Sequence, residues 1–476
     1  MLFNNPVFIL FLATVYLLYW RLNRRAQNVL LLAASYFFYA CWDYRFLSLL
    51  MISTLTDYVI ALLIDRTDSA PRRKMLIVIS MCVSLGLLGF FKYFNFFVDS
   101  LEALLQAMGF QAGGWRLHIL LPIGISFYTF QTINYTIDVY RRHMKPTRNL
   151  VEFAAFVSFF PHLVAGPIMR ANNLLPQFEK ERTFNPAEAA DGIRQMVWGL
   201  FKKVVIADAL APFVNQWYGH VGAASGWQLL IGTYFFAFQI YCDFSGYSDI
   251  AVGCAKLLGF SLIQNFRYPY FSQDLREFWA RWHVSLTTWF RDYLYIPLGG
   301  SRGSHLRTQF NVMMVFFLSG LWHGANWTFV FWGVLNGVIY LLTPERRKQG
   351  ASRYDIPGGD TLLPSPRVFL KMVFTFHLVL LTWVFFRAVS FEQAFTVLLK
   401  VCEAPLPPLA EIGPLLRPVF FIGILLFAEW FGRRQPHSLA LVAAPQWVRA
   451  VLVLATAAVI VLWGSFVHVP FIYFQF

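Results

Sequence analysis

Long apolar runs separated by short basic clusters set the rhythm of this chain. The runs cover 6–20, 28–64 with a polar break at 43–45, 75–98, 119–140, 192–210, 227–251, 310–320, 329–342, 369–386, 419–431 and 451–467. A hydrocarbon core about 30 Å thick needs about 20 apolar residues of α-helix. The pattern therefore predicts an all-α polytopic membrane protein, a single domain over 1–476 with about nine to twelve membrane segments. Arg21, Arg24 and Arg25 follow the first run, Arg66, Arg72, Arg73 and Lys74 the third helix, and Arg141, Arg142, Lys145 and Arg148 the run ending at 140. Parity puts these three clusters on one face of the bilayer, read as cytoplasmic, and the N-terminus outside, in the periplasm of a bacterial inner membrane.

Three places break the rhythm. The run 153–167 contains FFPHLVAGPI, where Pro161, Gly166 and Pro167 interrupt regular helix and predict a short or re-entrant element. The runs 310–320 and 329–342 are short for two spans and predict a broken pair meeting around His323, followed by a basic loop at 345–353. A Pro-rich segment at 405–418 is expected to separate the last two spans from the one before, with PFIYFQF left outside at the end.

Composition agrees: 58% of residues are hydrophobic and 13% charged, with 51 Phe, 16 Trp and 21 Tyr. Such rings pack against lipid and gather at its interfaces. The net charge of +14 lies in clusters between apolar runs, which fits orientation in a membrane better than a nucleic-acid surface. Five cysteines, odd in number and without ligand-like spacing, indicate neither a disulfide framework nor a metal site. The first run lacks the leader and cleavage pattern of a secretory signal and is expected to stay as a membrane helix.

Candidate chemistry concentrates in 265–327, which holds REFWARWHVSLTTWFRDYLYIPLGG and LSGLWHGANW. His283 lies in ARWHVSLTTWF, a sequence compatible with a helix, with Trp282 and Trp289 as interface anchors and Arg276, Glu277, Arg281, Arg291 and Asp292 around it. The residues alone leave His283 open between a hydrogen-bonded structural imidazole and a functional one. His323 is the sharper candidate, because Gly324 and Ala325 leave little bulk beside it. An imidazole kept from water stays neutral, and a neutral imidazole accepts a proton from a hydroxyl. YCDFSGYSD adds Asp243, Ser245, Tyr247, Ser248 and Asp249 at the end of an apolar run, where they cap a broken helix, line a cavity or orient a substrate. There is no nucleophile elbow, no HExxH and no phosphate loop.

REFWARWHVSLTTWFRDYLYIPLGG and GLWHGANW resemble the membrane-bound O-acyltransferase family. LPIGISFYTFQTINYTIDVYR, FFPHLVAGPI, DFSGYSD and FIYFQF resemble its bacterial polysaccharide branch, the alginate O-acetyltransferases among them. The likeness runs over nearly the whole chain. It implies a multihelical fold with broken or re-entrant helices around a central passage. It places the family's WHG histidine on His323, as general base or transient acyl carrier, and its upstream histidine on His283. It also implies acetyl-CoA as a cytoplasmic donor substrate, with Arg267, Arg276 and Arg281 as candidate phosphate contacts, no tightly bound cofactor and no metal. Partners implied are periplasmic acceptor or acetyltransferase proteins and an exported polysaccharide, most directly the mannuronate hydroxyls of alginate. His162 stands where Gln is commoner in that branch, which leaves its part in specificity open.

Two rival readings are set beside this one. Related members transfer D-alanyl groups from a carrier protein to another surface polymer. Broken helices and polar groups at membrane depth also suit a transporter or scaffold, and acetyl transfer separates the classes because pure transport leaves a thioester intact.

Overall fold

A computed structural model describes residues 3–344, 362–466 and 469–472. The basic loop expected at 345–353, Val467 at the end of the last apolar run and most of the terminal FIYFQF lie outside the described residues. Among the described residues every regular element is helical. Five stretches are long and apolar enough to cross a membrane: Arg24–Asp65, Ala70–Ala107, Pro366–Arg387, Leu409–Gly432 and Gln446–Trp463. Pro6–Tyr19 and Trp327–Leu342 are shorter apolar helices. All five cysteines are free.

The apolar runs become helices for the expected reason, and the exceptions have local causes. Arg24–Asp65 is two helices, Arg24–Asp43 and Leu47–Asp65, joined by a single tight turn at Tyr44–Phe46. There Asp43 accepts from the Arg45 backbone and pairs with its guanidinium at 2.6 Å. The run from 119 turns helical only at Ile125. Gly124 sits at φ 77°, and a side chain there would press its Cβ to 2.8 Å from the Leu163 carbonyl. The Pro-rich 405–418 separates helices only over its first part, 405–408. The helix Leu409–Gly432 carries Pro414 and Pro418 inside it, and membrane helices tolerate such breaks where neighbours satisfy the freed carbonyls.

Two compact units make up the chain: 1–189 with 255–262, and 190–254 with 263–476. In the first, the helix Ile125–Tyr140 is buried from Ile125 through Val139. Several polar groups buried beside it are paired. Ser80 and Ser84 donate to Asp57, at 2.5 and 3.3 Å, and Arg24 pairs with Glu152 at 2.5 Å. The stretch FFPHLVAGPI follows a nine-residue helix, Leu150–Ser158, and runs as turns, the short element expected. His162 Nε2 in it meets Gln131 Oε1, 2.9 Å away, while the Gln131 amide nitrogen donates to the Phe156 carbonyl. Since that amide fixes its oxygen toward the imidazole, His162 is the donor.

The second unit is organised around residues 226–254 of the 32-residue helix Gly226–Leu257. Backbone approaches backbone where Gly246 faces Gly199 and Gly253 faces Gly192. A Cβ on Gly246 would stand 2.7 Å from the Gly199 carbonyl, and one on Gly253 2.4 Å from that of Gly192. That closeness lets two lysines on the π-helical turn Phe201–Ala207 reach carboxylates on the long helix. Lys202 pairs with Asp249 at 2.5 Å, and Lys203 with both Asp243 at 2.7 Å and Asp208 at 2.8 Å. The YCDFSGYSD residues thus lie in mid-helix and do not cap a break.

Candidate active site

His323 and His283 lie in this second unit, and each is placed by a different local device. His323 is the last residue of the helix His305–His323, whose partner is Trp327–Leu342. The expected broken pair is in fact a closely packed antiparallel hairpin. Gly320 stands against the Phe329 carbonyl, Gly333 against the Phe316 carbonyl and Gly337 against Met313; a Cβ would meet these atoms at 2.4, 2.3 and 2.8 Å. The turn between the helices is short because Asn326 caps the second through the Thr328 N–H at 3.1 Å. Gly324 lies so close to the Phe329 ring that a Cβ would fall 2.3 Å from it. The glycine beside His323 therefore gives room to Phe329, and the histidine is held at the hairpin tip.

His283 is not inside a helix. It sits at φ 46° and ψ 53° between two seven-residue helices, Leu275–Arg281 and Val284–Phe290. The left-handed conformation is costly for a side chain with a Cβ. Here it is compensated by the ring's own Nδ1, which accepts the Leu286 N–H at 3.3 Å. With Nδ1 used as acceptor, the proton of the neutral ring is on Nε2.

Asn265 holds this break in place. Its carbonyl accepts the Val284 N–H at 2.9 Å. Its side-chain oxygen accepts from Ser285 N and Ser285 Oγ, at 3.2 and 2.9 Å, and its amide donates to Ser248 Oγ at 3.4 Å. A backbone bond from Arg267 N to the Arg281 carbonyl, 3.0 Å, completes the clamp.

The two imidazoles converge on one indole. The His283 ring stands edge-on to Trp322 at 5.8 Å between centroids, and Trp322 stands edge-on to His323 at 4.9 Å. Exposure is 1% for His283 and 3% for His323. Phe244 closes on His283 at 4.6 Å, while Trp332 and Phe386 close on His323 at 5.1 and 5.4 Å. Trp282 and Trp289, expected at the interface, are buried; Trp282 belongs to this aromatic shell, packed 5.2 Å from Trp383, whereas Trp289 packs against Phe290 and Tyr293.

A polar cavity borders the His283 clamp, lined by Lys202, Tyr241, Ser248, Asp249, Asn265 and Glu429 among others. Tyr241 donates to Glu429 at 2.6 Å, and Gln195 donates to Asp249 at 2.8 Å. Of the YCDFSGYSD residues, Ser245, Ser248 and Asp249 line it. Arg276 and Arg267 are half-buried, whereas Arg281 is buried. Arg276 donates to the Thr343 carbonyl at 2.8 Å with its guanidinium 4.4 Å over Tyr340, and Arg281 pairs with Glu277 at 2.7 Å.

Residues 139–347, which include both histidines and their clamp, match the membrane-bound O-acyltransferase family. The chain is 41% identical over 456 residues to the probable alginate O-acetylase AlgI of Azotobacter vinelandii, covering 94% of this chain and 88% of that one. The chain belongs to the membrane-bound O-acyltransferase family. The corresponding probable alginate O-acetylase of Pseudomonas aeruginosa is also 41% identical, over 92% of this chain and 82% of its own. A peptidoglycan O-acetyltransferase of Helicobacter pylori is 36% identical, over 84% and 79%. The O-acyltransferase described here is thus a multi-pass membrane enzyme.

Sequence reasoning did not find Asn265, Lys202, Lys203 or Trp332. An Asn in QNFRYPY and a Lys pair in GLFKKVV carry a weak signal, being polar residues beside apolar runs. Trp332, in FVFWG, carries none.

Proposed function

We propose that this O-acyltransferase moves an acetyl group from cytoplasmic acetyl-CoA to a hydroxyl of an exported polysaccharide, the mannuronate units of alginate. The observation that carries this reading is the pair of buried imidazoles against Trp322. The names of its relatives, two probable alginate O-acetylases and a peptidoglycan O-acetyltransferase, support a polysaccharide acceptor and an acetyl donor.

In this reading the acceptor oxygen attacks the thioester carbonyl carbon while His323 takes the hydroxyl proton. The new C–O bond forms, the C–S bond breaks, and the proton passes from His323 to the departing sulfur to give a free thiol. No net proton is released. General-base assistance of this kind contributes about 100- to 10,000-fold. His283, whose Nδ1 is occupied by Leu286 N–H, acts through its Nε2–H as a donor that stabilises developing charge. Arg276 and Arg267 serve the phosphates of the donor at the cytoplasmic mouth. The enzyme sits in the bacterial inner membrane with its N-terminus periplasmic, and periplasmic acceptor proteins complete delivery.

The test is transfer of radiolabelled acetyl from acetyl-CoA in membranes carrying wild type or His323→Ala at matched abundance, with an alginate-system periplasmic acceptor. Label should reach the acceptor only with wild type. Normal transfer by His323→Ala removes the general-base role, and an inactive wild type with a validated acceptor removes acetyl-CoA as donor.

A further inference from the structure

The hairpin that carries His323 also carries a second polar group. Trp332, on the facing helix, is 1% exposed, and its ring meets the His323 ring at 5.1 Å and 88°. It stacks on Trp383 at 5.8 Å and 14°, and takes edges from Phe386 at 4.9 Å and Trp279 at 5.6 Å. Those contacts immobilise the indole. Its Nε1–H is fully buried and meets no acceptor among the described residues. An indole nitrogen is a donor only, and leaving one buried without an acceptor costs about 1–3 kcal/mol. More than about 90% of buried polar groups in folded proteins have a partner, so a fixed, unpaired donor beside a base points to a missing acceptor atom.

Resting on the acyl-transfer reading above, we propose that the Trp332 indole N–H receives the acyl carbonyl oxygen of the donor and holds it as negative charge builds there. The attack of the acceptor hydroxyl turns that oxygen from a carbonyl into an oxyanion. A rigid donor already in place strengthens its bond as this happens and needs no reorganisation. Trp332 thereby aligns the thioester with His323, which removes the proton from the attacking hydroxyl. The opposite faces of the reaction are served by one hairpin: the base at the end of its first helix and the oxygen-binding donor on its second.

Trp279 is the internal comparison. Its Nε1–H is likewise buried without an acceptor among the described residues, but its ring neighbours are Phe278, Phe316 and Trp332. A buried water is the ordinary partner for such a group, and Trp279 has no part in the proposal.

Trp332→Phe keeps an aromatic ring and removes only the donor. In the acetyl-transfer assay its kcat should fall about 100-fold, with the KM for acetyl-CoA changed less than about threefold. Trp279→Phe should keep at least half of wild-type kcat. Should Trp332→Phe fold poorly, 3-benzothienylalanine at position 332 retains the bicyclic shape without the N–H and should show the same loss. A kcat within twofold of wild type for either replacement at 332 overturns the proposal and leaves the indole bonded to water. A wild type inactive with acetyl-CoA instead refutes the donor reading. Trp332→Phe is then compared with wild type on a carrier-linked D-alanyl thioester, where the same fall is expected.

Discussion

His283 sits in a left-handed break between two short helices that Asn265 clamps, with its Nδ1 committed to Leu286 N–H. His323 ends an unbroken helix and is held from outside, by a glycine-packed partner helix and by Trp322, Trp332 and Phe386. Both devices fix a ring in a buried place, but they differ in what they leave it to do. A ring that caps a helix has one nitrogen spent and a known tautomer, so it is suited to donate. The ring of His323 is packed among Trp322, Trp332 and Phe386. In the proposed mechanism charge stabilisation falls to His283 and proton removal to His323.

The largest effect should come from forcing the hairpin apart. A Cβ at Gly320 would stand 2.4 Å from the Phe329 carbonyl and 3.2 Å from the Val330 backbone, atoms that no rotamer change can move. Gly320→Val should cost several kcal/mol, beyond the usual 1–3 kcal/mol of overpacking, and yield membranes with little folded protein and no transfer. Normal thermal stability in that variant would mean that the two helices do not need their close approach. His323 would then owe its position to the aromatic shell alone.

A smaller and sharper effect separates the two duties of His283. Asn tolerates the left-handed region and its side-chain oxygen caps a helix. His283→Asn should therefore unfold at a temperature close to wild type, whereas His283→Ala loses the cap at about 1 kcal/mol. Both should lower kcat about 100-fold, because neither offers an imidazole N–H to developing charge. An active His283→Asn would reduce this residue to a cap, the structural reading that the sequence alone left open.

Much of this was legible in the chain. The apolar runs gave the helices, and WHG and RWH marked both histidines, because an ionisable group amid Trp, Leu and Gly is rare enough to stand out. What stayed hidden depends on three-dimensional approach. Periodicity read ARWHVSLTTWF as one helix, since nothing local signals the left-handed turn at His283; that turn exists because Asn265, distant in sequence, holds Val284 and Ser285. Asp243 and Asp249 stayed open between capping, lining a cavity and orienting a substrate, because their lysine partners arrive on another helix. Pro414 and Pro418 looked like a connector, since the rule that Pro ends helices comes from water, where a freed carbonyl is readily solvated.

The gentlest way to test the contrast is through Asn265, which touches neither imidazole in any hydrogen bond described and yet sets the angle of one of them. Asn265→Ala keeps the backbone bond to Val284 N–H but deprives Ser285 N and Oγ of their acceptor and Ser248 of its donor. With Asn265, Ser285 and Ser248 all buried, the loss should be about 1–3 kcal/mol in stability. It should also lower kcat about tenfold, since a loosened positive-φ turn lets the His283 ring drift and small misplacements weaken oriented catalysis. His323 lies on an element that the substitution leaves alone, so proton removal should persist, and the double variant Asn265→Ala with His283→Asn should be no slower than His283→Asn by itself. Rates that multiply in the double variant would mean that Asn265 serves the reaction through the neighbouring polar cavity, independently of the histidine it clamps.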